Sequence, residues 1–420
     1  MSAPNYSNNY TYWKKIKTKM KNILVAAFAI CIAPMACAQK STIRNEKLDH
    51  LKINQIQVLG THNSYARPVD SLVLAFADPI FEKMFQGFGK GMSQAQAEAF
   101  KEFHPNGMKM SEGLKYDHPS FDVQLDAGLR ALEIDVYYDP TGNRFNNPAS
   151  YRVLRQKGVT NLAPFDTTGL AQPGFKVMHM ADFDFRTHYP TLELALKALK
   201  SWSDRNPNHV PITIMVEAKD KGMPIFPNPS EVLPFTEKAF NELDEQVLAI
   251  LGRDKIITPD DVRGGFPTLR DAVLAQNWPT VKESRGKFIF LLLPGSAGTA
   301  VDTESSYSKG RPSLENRVMF VQSTSKDTYA AFMLWDNAII RKTDIQNYVR
   351  QGYIVRSRSD IETYEAKVND YTRAKAAFES GAQVISTDFF REGNGYGTSY
   401  KVSLPGGGEA RPNPVNATIE

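Results

Sequence analysis

Gly60-Thr61-His62-Asn63-Ser64-Tyr65 follows directly on the apolar run 53–59. A strand that ends in a small residue and then presents an imidazole and an amide has the form of a strand end at the mouth of a parallel sheet, where α/β enzymes carry their chemistry. Three more apolar runs end in the same vocabulary of carboxylate and imidazole, at Glu133-Ile134-Asp135, His179 and Glu217. Working outward, apolar runs of strand length recur at 54–60, 131–137, 175–180, 211–217, 286–293, 317–322, 353–357 and 383–388. For the sixth run, 330–335 competes with 317–321. Helical stretches are expected between them at 191–204, 234–251, 268–274, 342–351 and 371–380. Eight apolar strands alternating with helices predict a parallel sheet buried on both faces. At this length the natural closure is an α/β fold of the (β/α)8 TIM type. The open doubly wound alternative lacks a G-x-G-x-x-G after its first strand.

One connection is too long for a regular barrel: residues 66–130 separate the first two strands, where a short loop and one helix would suffice. Within it, 71–88 is apolar and aromatic. It reads either as a helix packed over the barrel or as a lid or lipid-touching surface. A second, polar insertion at 138–174 belongs to the same rim. The barrel domain is expected over 39–400, and Gly406-Gly407-Gly408 with Pro412 and Pro414 marks 401–420 as a loose C-terminal tail.

The first 38 residues have another character. Five lysines precede the short apolar run 23–33, and Ala36-Cys37-Ala38 offers a small-residue cleavage site. This is the layout of a secretory signal peptide, and it implies a secreted or periplasmic protein. Removing it leaves 45 basic against 46 acidic residues, so the formal charge of +4 comes from the leader and no nucleic-acid partner is implied. Both cysteines, Cys31 and Cys37, also lie in the leader. The remaining chain has no thiol, so a metal must be held by oxygen or imidazole, which favours hard cations.

In Ala131-Leu132-Glu133-Ile134-Asp135-Val136-Tyr137 the strand period of two places Leu132, Ile134 and Val136 on one face and Glu133 with Asp135 on the other. Two buried carboxylates on one face need positive compensation, either a divalent cation or a salt bridge such as one to Arg130. Glu217 ends the 211–217 run and Lys219 follows on its face. Asn63, Glu133, Asp135 and Glu217 make an all-oxygen set suited to Ca²⁺, with Mg²⁺ second. His62 and His179 are candidates for acid and base chemistry; the other five histidines receive no role. Arg356 or Arg358 at a later strand end could hold a phosphate, register deciding which, and Asp388 ends the last run.

G-T-H-N-S-Y, then L-E-I-D-V, a histidine in the third run, and V-E-A-K together resemble the calcium-dependent phosphatidylinositol-specific phospholipase C family, in its secreted branch that consists of the catalytic barrel alone. The resemblance spans most of 50–395. It implies catalytic His62 and His179, Ca²⁺ held by Asn63, Glu133, Asp135 and Glu217, and Glu133 as a base. His62 would face the phosphoryl oxygens and His179 would protonate the departing diacylglycerol, while Lys219, Arg356 or Arg358 contact the headgroup. The implied reaction is attack of the inositol 2-hydroxyl on phosphorus, giving diacylglycerol and an inositol cyclic phosphate. The implied partners are a phosphoinositide and, transiently, a membrane surface, with the protein a monomer. Two rivals stand beside it. A glycerophosphodiester phosphodiesterase would open with His-Arg-Gly where this chain has His62-Asn63-Ser64. A catalytically dead lipid-binding barrel would have no need of both imidazoles.

Overall fold

Short strands that are apolar on both sides have few ways to hide, and here they close on one another. In the computed structural model, which describes residues 46–88, 92–106, 109–293 and 307–417, the strands are β1 (Ile56–Thr61), β2 (Ala131–Asp139), β3 (Gly174–Val177), β4 (Ile212–Ala218), β5 (Ile256–Ile257), β6 (Phe288–Leu293), β7 (Phe320–Val321), β8 (Phe332–Leu334), β9 (Ile354–Arg358), β10 (Val384–Thr387) and β11 (Arg411–Pro412). Eight of them form a parallel ring in the order β1-β2-β4-β6-β7-β8-β9-β10 and back to β1. The bridge between Gln322 and Phe332 completes it. This is the expected TIM-type barrel. The compact unit that contains it runs from His50 to Glu420.

Two assignments change. The 175–180 run is no ring member: β3 lies antiparallel on the outer half of β2, Val136 opposite Val177 and Asp139 opposite Gly174. Its Phe175 and Val177 are buried like those of a barrel strand, so an apolar run alone cannot separate the two placements. The vacated place is filled because both rivals for the sixth strand exist, as β7 and β8.

The expected loose tail is also corrected. Tyr400, Val402 and Leu404 are buried, and β11 pairs antiparallel with the start of β1. Asn413 Nδ2 donates to the Gly381 carbonyl at 2.6 Å. The glycines turn the chain back onto the barrel instead of releasing it. The leader lies outside the described residues. Among those described, no helix is long and apolar enough to cross a membrane.

Between β1 and β2 the insertion forms α1 (Ser71–Phe88) and α2 (Gln94–Phe103), with two short helical turns after them. Val73, Ala77 and Phe81, four residues apart, are buried on one face of α1. Phe81 meets Phe183 edge-on with ring centres 5.0 Å apart. The packed-helix reading therefore accounts for that face. Ile56, Val58, Ile289, Ile354 and Val384 line a small, mainly apolar cavity at the N-terminal end of the barrel interior, leaving the charged strand ends at the opposite mouth. Gly60 lies within β1, opposite Ala131, and does not turn the chain out of the strand. A Cβ there would stand 2.2 Å from the Ala131 carbonyl oxygen, so only glycine lets β1 approach β2 this closely.

Candidate active site

The loop after β1 is pinned from several sides. Asn63 has φ of 45°, a left-handed conformation that asparagine tolerates better than most residues. Next to it, the Ser64 amide donates to the Glu133 carbonyl at 3.1 Å, and Ser64 Oγ accepts from the Glu133 amide at 2.8 Å. Thr61 Oγ1 lies 2.6 Å from both Ser64 Oγ and Gln124 Oε1. His118 Nε2 donates to the His62 carbonyl at 2.9 Å, and His188 Nε2 to the His118 carbonyl at 2.8 Å. Ser64, His118 and His188, which the sequence left without roles, thus set the height and angle at which His62 leaves the strand.

His62 reaches the mouth with Nδ1 3.0 Å from Asp388 Oδ1 and Nε2 3.8 Å from Glu133 Oε1. Burial, then the Arg358 guanidinium, push the imidazole down to about 3 against the opposing pull of Asp388. Burial alone would raise the Asp388 carboxyl, but His62 and Arg358 bring it down to about 2. The Arg358 Nη2 contact with Asp388 Oδ2 at 3.0 Å keeps that carboxylate charged beside a neutral imidazole. The Asp388 carboxylate at 3.0 Å favours the tautomer with its proton on Nδ1 and a lone pair at Nε2, against the Arg358 Nη2 that also stands 3.3 Å from Nδ1. Asp388 is held in turn: Asp360 accepts its backbone N–H at 2.7 Å and also bonds the Thr387 and Ser359 hydroxyls.

His179 follows β3 and leans across the mouth, its ring centre 6.5 Å from that of His62. Its Nδ1 is 2.8 Å from Asp184 Oδ2. The tight turn that pairs Met180 with Asp184 brings that carboxylate back. Both imidazoles are therefore braced at Nδ1 by a carboxylate. In the sequence Asp388 stands out only as a strand end, and nothing but a spacing of five from His179 marks Asp184.

The carboxylates of Glu133, Asp135 and Glu217 converge, with one oxygen of each within 4.8 Å of the others. Register explains this: Asp135 of β2 stands opposite Glu217 of β4, and Glu133 points the same way two residues earlier. Burial pushes Glu133 up to about 8 despite Arg356, and Asp135 up to about 6 despite Lys219. Neither oxygen of Asp135 makes a well-aligned hydrogen bond, although Lys219 Nζ lies 2.9 Å from Oδ2. Buried carboxylate oxygens left under-satisfied beside two more carboxylates are the donor set of a hard divalent cation. These residues fit Ca²⁺.

Asn63 is brought to the same mouth, where its Nδ2 donates to Tyr116 Oη at 2.6 Å and its Oδ1 accepts from Tyr65 Oη at 3.2 Å. Burial, with Asp135 close by, pushes the Tyr65 phenol well up, so it remains a donor.

Arg130, the salt-bridge partner that the sequence suggests for Glu133, pairs instead with Glu409. Arg356 fills that place, with Nη2 3.1 Å from Glu133 Oε2 and Nη1 on Asp336. Arg356 and Arg358, two apart on β9, share the inward face, so register admits both. Burial would lower the Lys219 ammonium, yet Asp135 and Glu217 hold it well above its usual value.

In this interior the strand starts are apolar, and ionisable groups crowd the strand ends. That polarity defines the class: a TIM-type barrel enzyme, working at its C-terminal mouth. The profile of the family described as phosphoinositide phospholipase C, Ca²⁺-dependent, matches residues 51–414. The chain belongs to that family and is a phosphoric diester hydrolase of the phospholipase C type.

Among solved structures, it resembles a calcium-dependent phosphoinositol-specific phospholipase C from Pseudomonas sp. at 18% identity and a TM-score of 0.49, over 87% of this chain and 96% of that one. It also resembles a Ca²⁺-dependent phosphatidylinositol-specific phospholipase C from Streptomyces antibioticus, at 17% and 0.46 over 80% and 94%. Comparison with curated proteins gives no match.

Proposed function

We propose that this protein is an exported, Ca²⁺-dependent phospholipase C that cleaves phosphatidylinositol into diacylglycerol and an inositol cyclic phosphate. The observation that carries the reading is the facing pair of imidazoles, each braced at Nδ1 by a carboxylate, beside three converging carboxylates. Glu133, Asp135, Glu217 and Asn63 would hold the cation. When bound, Ca²⁺ supplies positive charge that favours ionisation of a nearby hydroxyl and offsets charge on phosphoryl oxygens.

His62, with its proton on Nδ1 and its lone pair at Nε2, takes the proton of the inositol 2-hydroxyl as that oxygen closes on phosphorus. Glu133 lies alongside as a second acceptor. This differs from the phosphoryl-stabilising role suggested for His62 by resemblance, because a bare Nε2 accepts rather than donates. His179, braced at Nδ1 by Asp184, is placed to give a proton from Nε2 to the departing diacylglycerol oxygen. Arg358 keeps Asp388 ionised, and Arg356 keeps Glu133 in place. The protein meets its lipid at a membrane surface and acts as a monomer outside the cytoplasm.

The test is a headgroup screen with and without chelator. Diacylglycerol release from phosphatidylinositol vesicles should stop in chelator and return with Ca²⁺. Hydrolysis of glycerophosphoinositol or glycerophosphocholine, with vesicles untouched, would make it a glycerophosphodiester phosphodiesterase instead.

A further inference from the structure

Lys219 occupies a position that headgroup binding does not explain. Its side chain is 3% exposed, and Nζ lies 2.9 Å from Asp135 Oδ2 and 2.9 Å from Glu217 Oε1. It therefore bridges two of the three carboxylates that converge at the mouth. A lysine so placed cannot also greet a phosphate without leaving them. The two cations serving this cluster are also held differently. Arg356 is fixed by Glu133, Asp336 and Ser386 Oγ together. The Nζ contacts of Lys219 are with Asp135 and Glu217, the residues that would face a metal.

We propose that Lys219 is a built-in counter-ion of the acidic cluster, seated between Asp135 and Glu217 and displaced when Ca²⁺ binds, so that cation binding is an exchange of an ammonium for the metal. The proposal rests on the assignment of Ca²⁺ to this cluster. Carboxylate oxygens approach Ca²⁺ to about 2.3–2.6 Å. A metal sharing these two oxygens with Nζ would sit within about 4 Å of the ammonium, where like charges repel strongly away from bulk water.

One side must yield. Asp135 and Glu217 sit on paired strands in register and cannot part. The lysine has a flexible four-carbon stem and a compact head, and it can swing. Until it does, the ammonium offsets repulsion among carboxylates that are otherwise buried together. Once released, it becomes available to the substrate phosphate, which couples headgroup capture to the presence of the metal.

The experiment titrates Ca²⁺ calorimetrically into the chelator-treated wild type, Lys219→Met and Lys219→Gln, and records thermal unfolding of each with and without Ca²⁺. The exchange expects both variants to bind Ca²⁺ at least about tenfold more tightly than wild type. It also expects their metal-free forms to unfold at lower temperature than wild type and to gain more from added Ca²⁺. Equal or weaker Ca²⁺ affinity in the variants overturns the exchange and makes Lys219 a group that orients the carboxylates, while the cluster remains the metal site. If neither wild type nor variants bind Ca²⁺, the cluster assignment falls and the exchange with it. If the methionine variant is not recovered folded, the glutamine variant carries the same comparison.

Discussion

Replacing Asp388 by asparagine keeps its shape and removes its charge, and the structure indicates what each loss should do. One carboxylate oxygen stands 3.0 Å from His62 Nδ1 and the other 3.0 Å from Arg358 Nη2, with the Asp388 side chain only 1% exposed. Breaking one side of a buried ion pair typically costs about 3–5 kcal/mol. Here the loss should be smaller, about 2–3 kcal/mol, because the Arg358 side chain keeps 12% exposure and has Asp336, Asp360 and Glu133 nearby. For a unit of this size the entropy of unfolding is about 0.8 kcal/mol per kelvin, so Tm should fall by about 3–4 °C.

Activity should fall far more. An amide can turn its NH₂ toward Nδ1 and move the ring proton to Nε2, leaving no acceptor where the substrate hydroxyl arrives. Wrong-tautomer losses of this kind run to about 10³–10⁴-fold in kcat. The assay is diacylglycerol release from phosphatidylinositol in detergent micelles with saturating Ca²⁺ at 25 °C, beside a calorimetric melt. Activity within about threefold of wild type would refute the tautomer argument. A raised KM with kcat intact would move Asp388 from proton transfer to headgroup binding through Arg358.

His62→Ala and His179→Ala should each lower kcat/KM by at least about 10²-fold. Their side chains are 19% and 20% exposed, so Tm should stay within a few degrees; melts far below wild type for both would show core residues instead of catalysts. Burial pushes His118 down to about 4, below the ordinary value near 6.5 that the unfolded chain would show. The unfolded state therefore takes up the proton first, and stability present above pH 6.5 is lost as pH falls toward 4, by up to about 3 kcal/mol from this residue. Denaturant unfolding from pH 7 to 4 should show a shallower loss in His118→Gln than in wild type, and parallel curves would contradict the assignment.

Much of the site was legible because strand alternation is a local rule. Glu133 and Asp135 had to share a face, and so did Glu217 and Lys219, before any strand was placed beside another. The left-handed turn at Asn63 and the close approach of β1 to β2 at Gly60 came only with the structure, since the sequence read Gly60 as the end of the strand. The antiparallel course of β3 was not legible, since Phe175 and Val177 would look the same in a ring strand. Nor was the docking of the tail, where three consecutive glycines resemble a tether.

By itself, the sequence determined the barrel class and most of the groups at its mouth, Asp184 excepted, because apolar run length and side-chain period are short-range properties. Tertiary structure alone decided who pairs with whom. Asp388 comes to His62 across 326 residues and Arg356 to Glu133 across 223, and those pairings set which nitrogen holds a proton and which carboxylate stays charged. Spacing in the chain cannot encode them. They depend on strands far apart in sequence being brought together by ring closure, in a register that puts their ends at the same height.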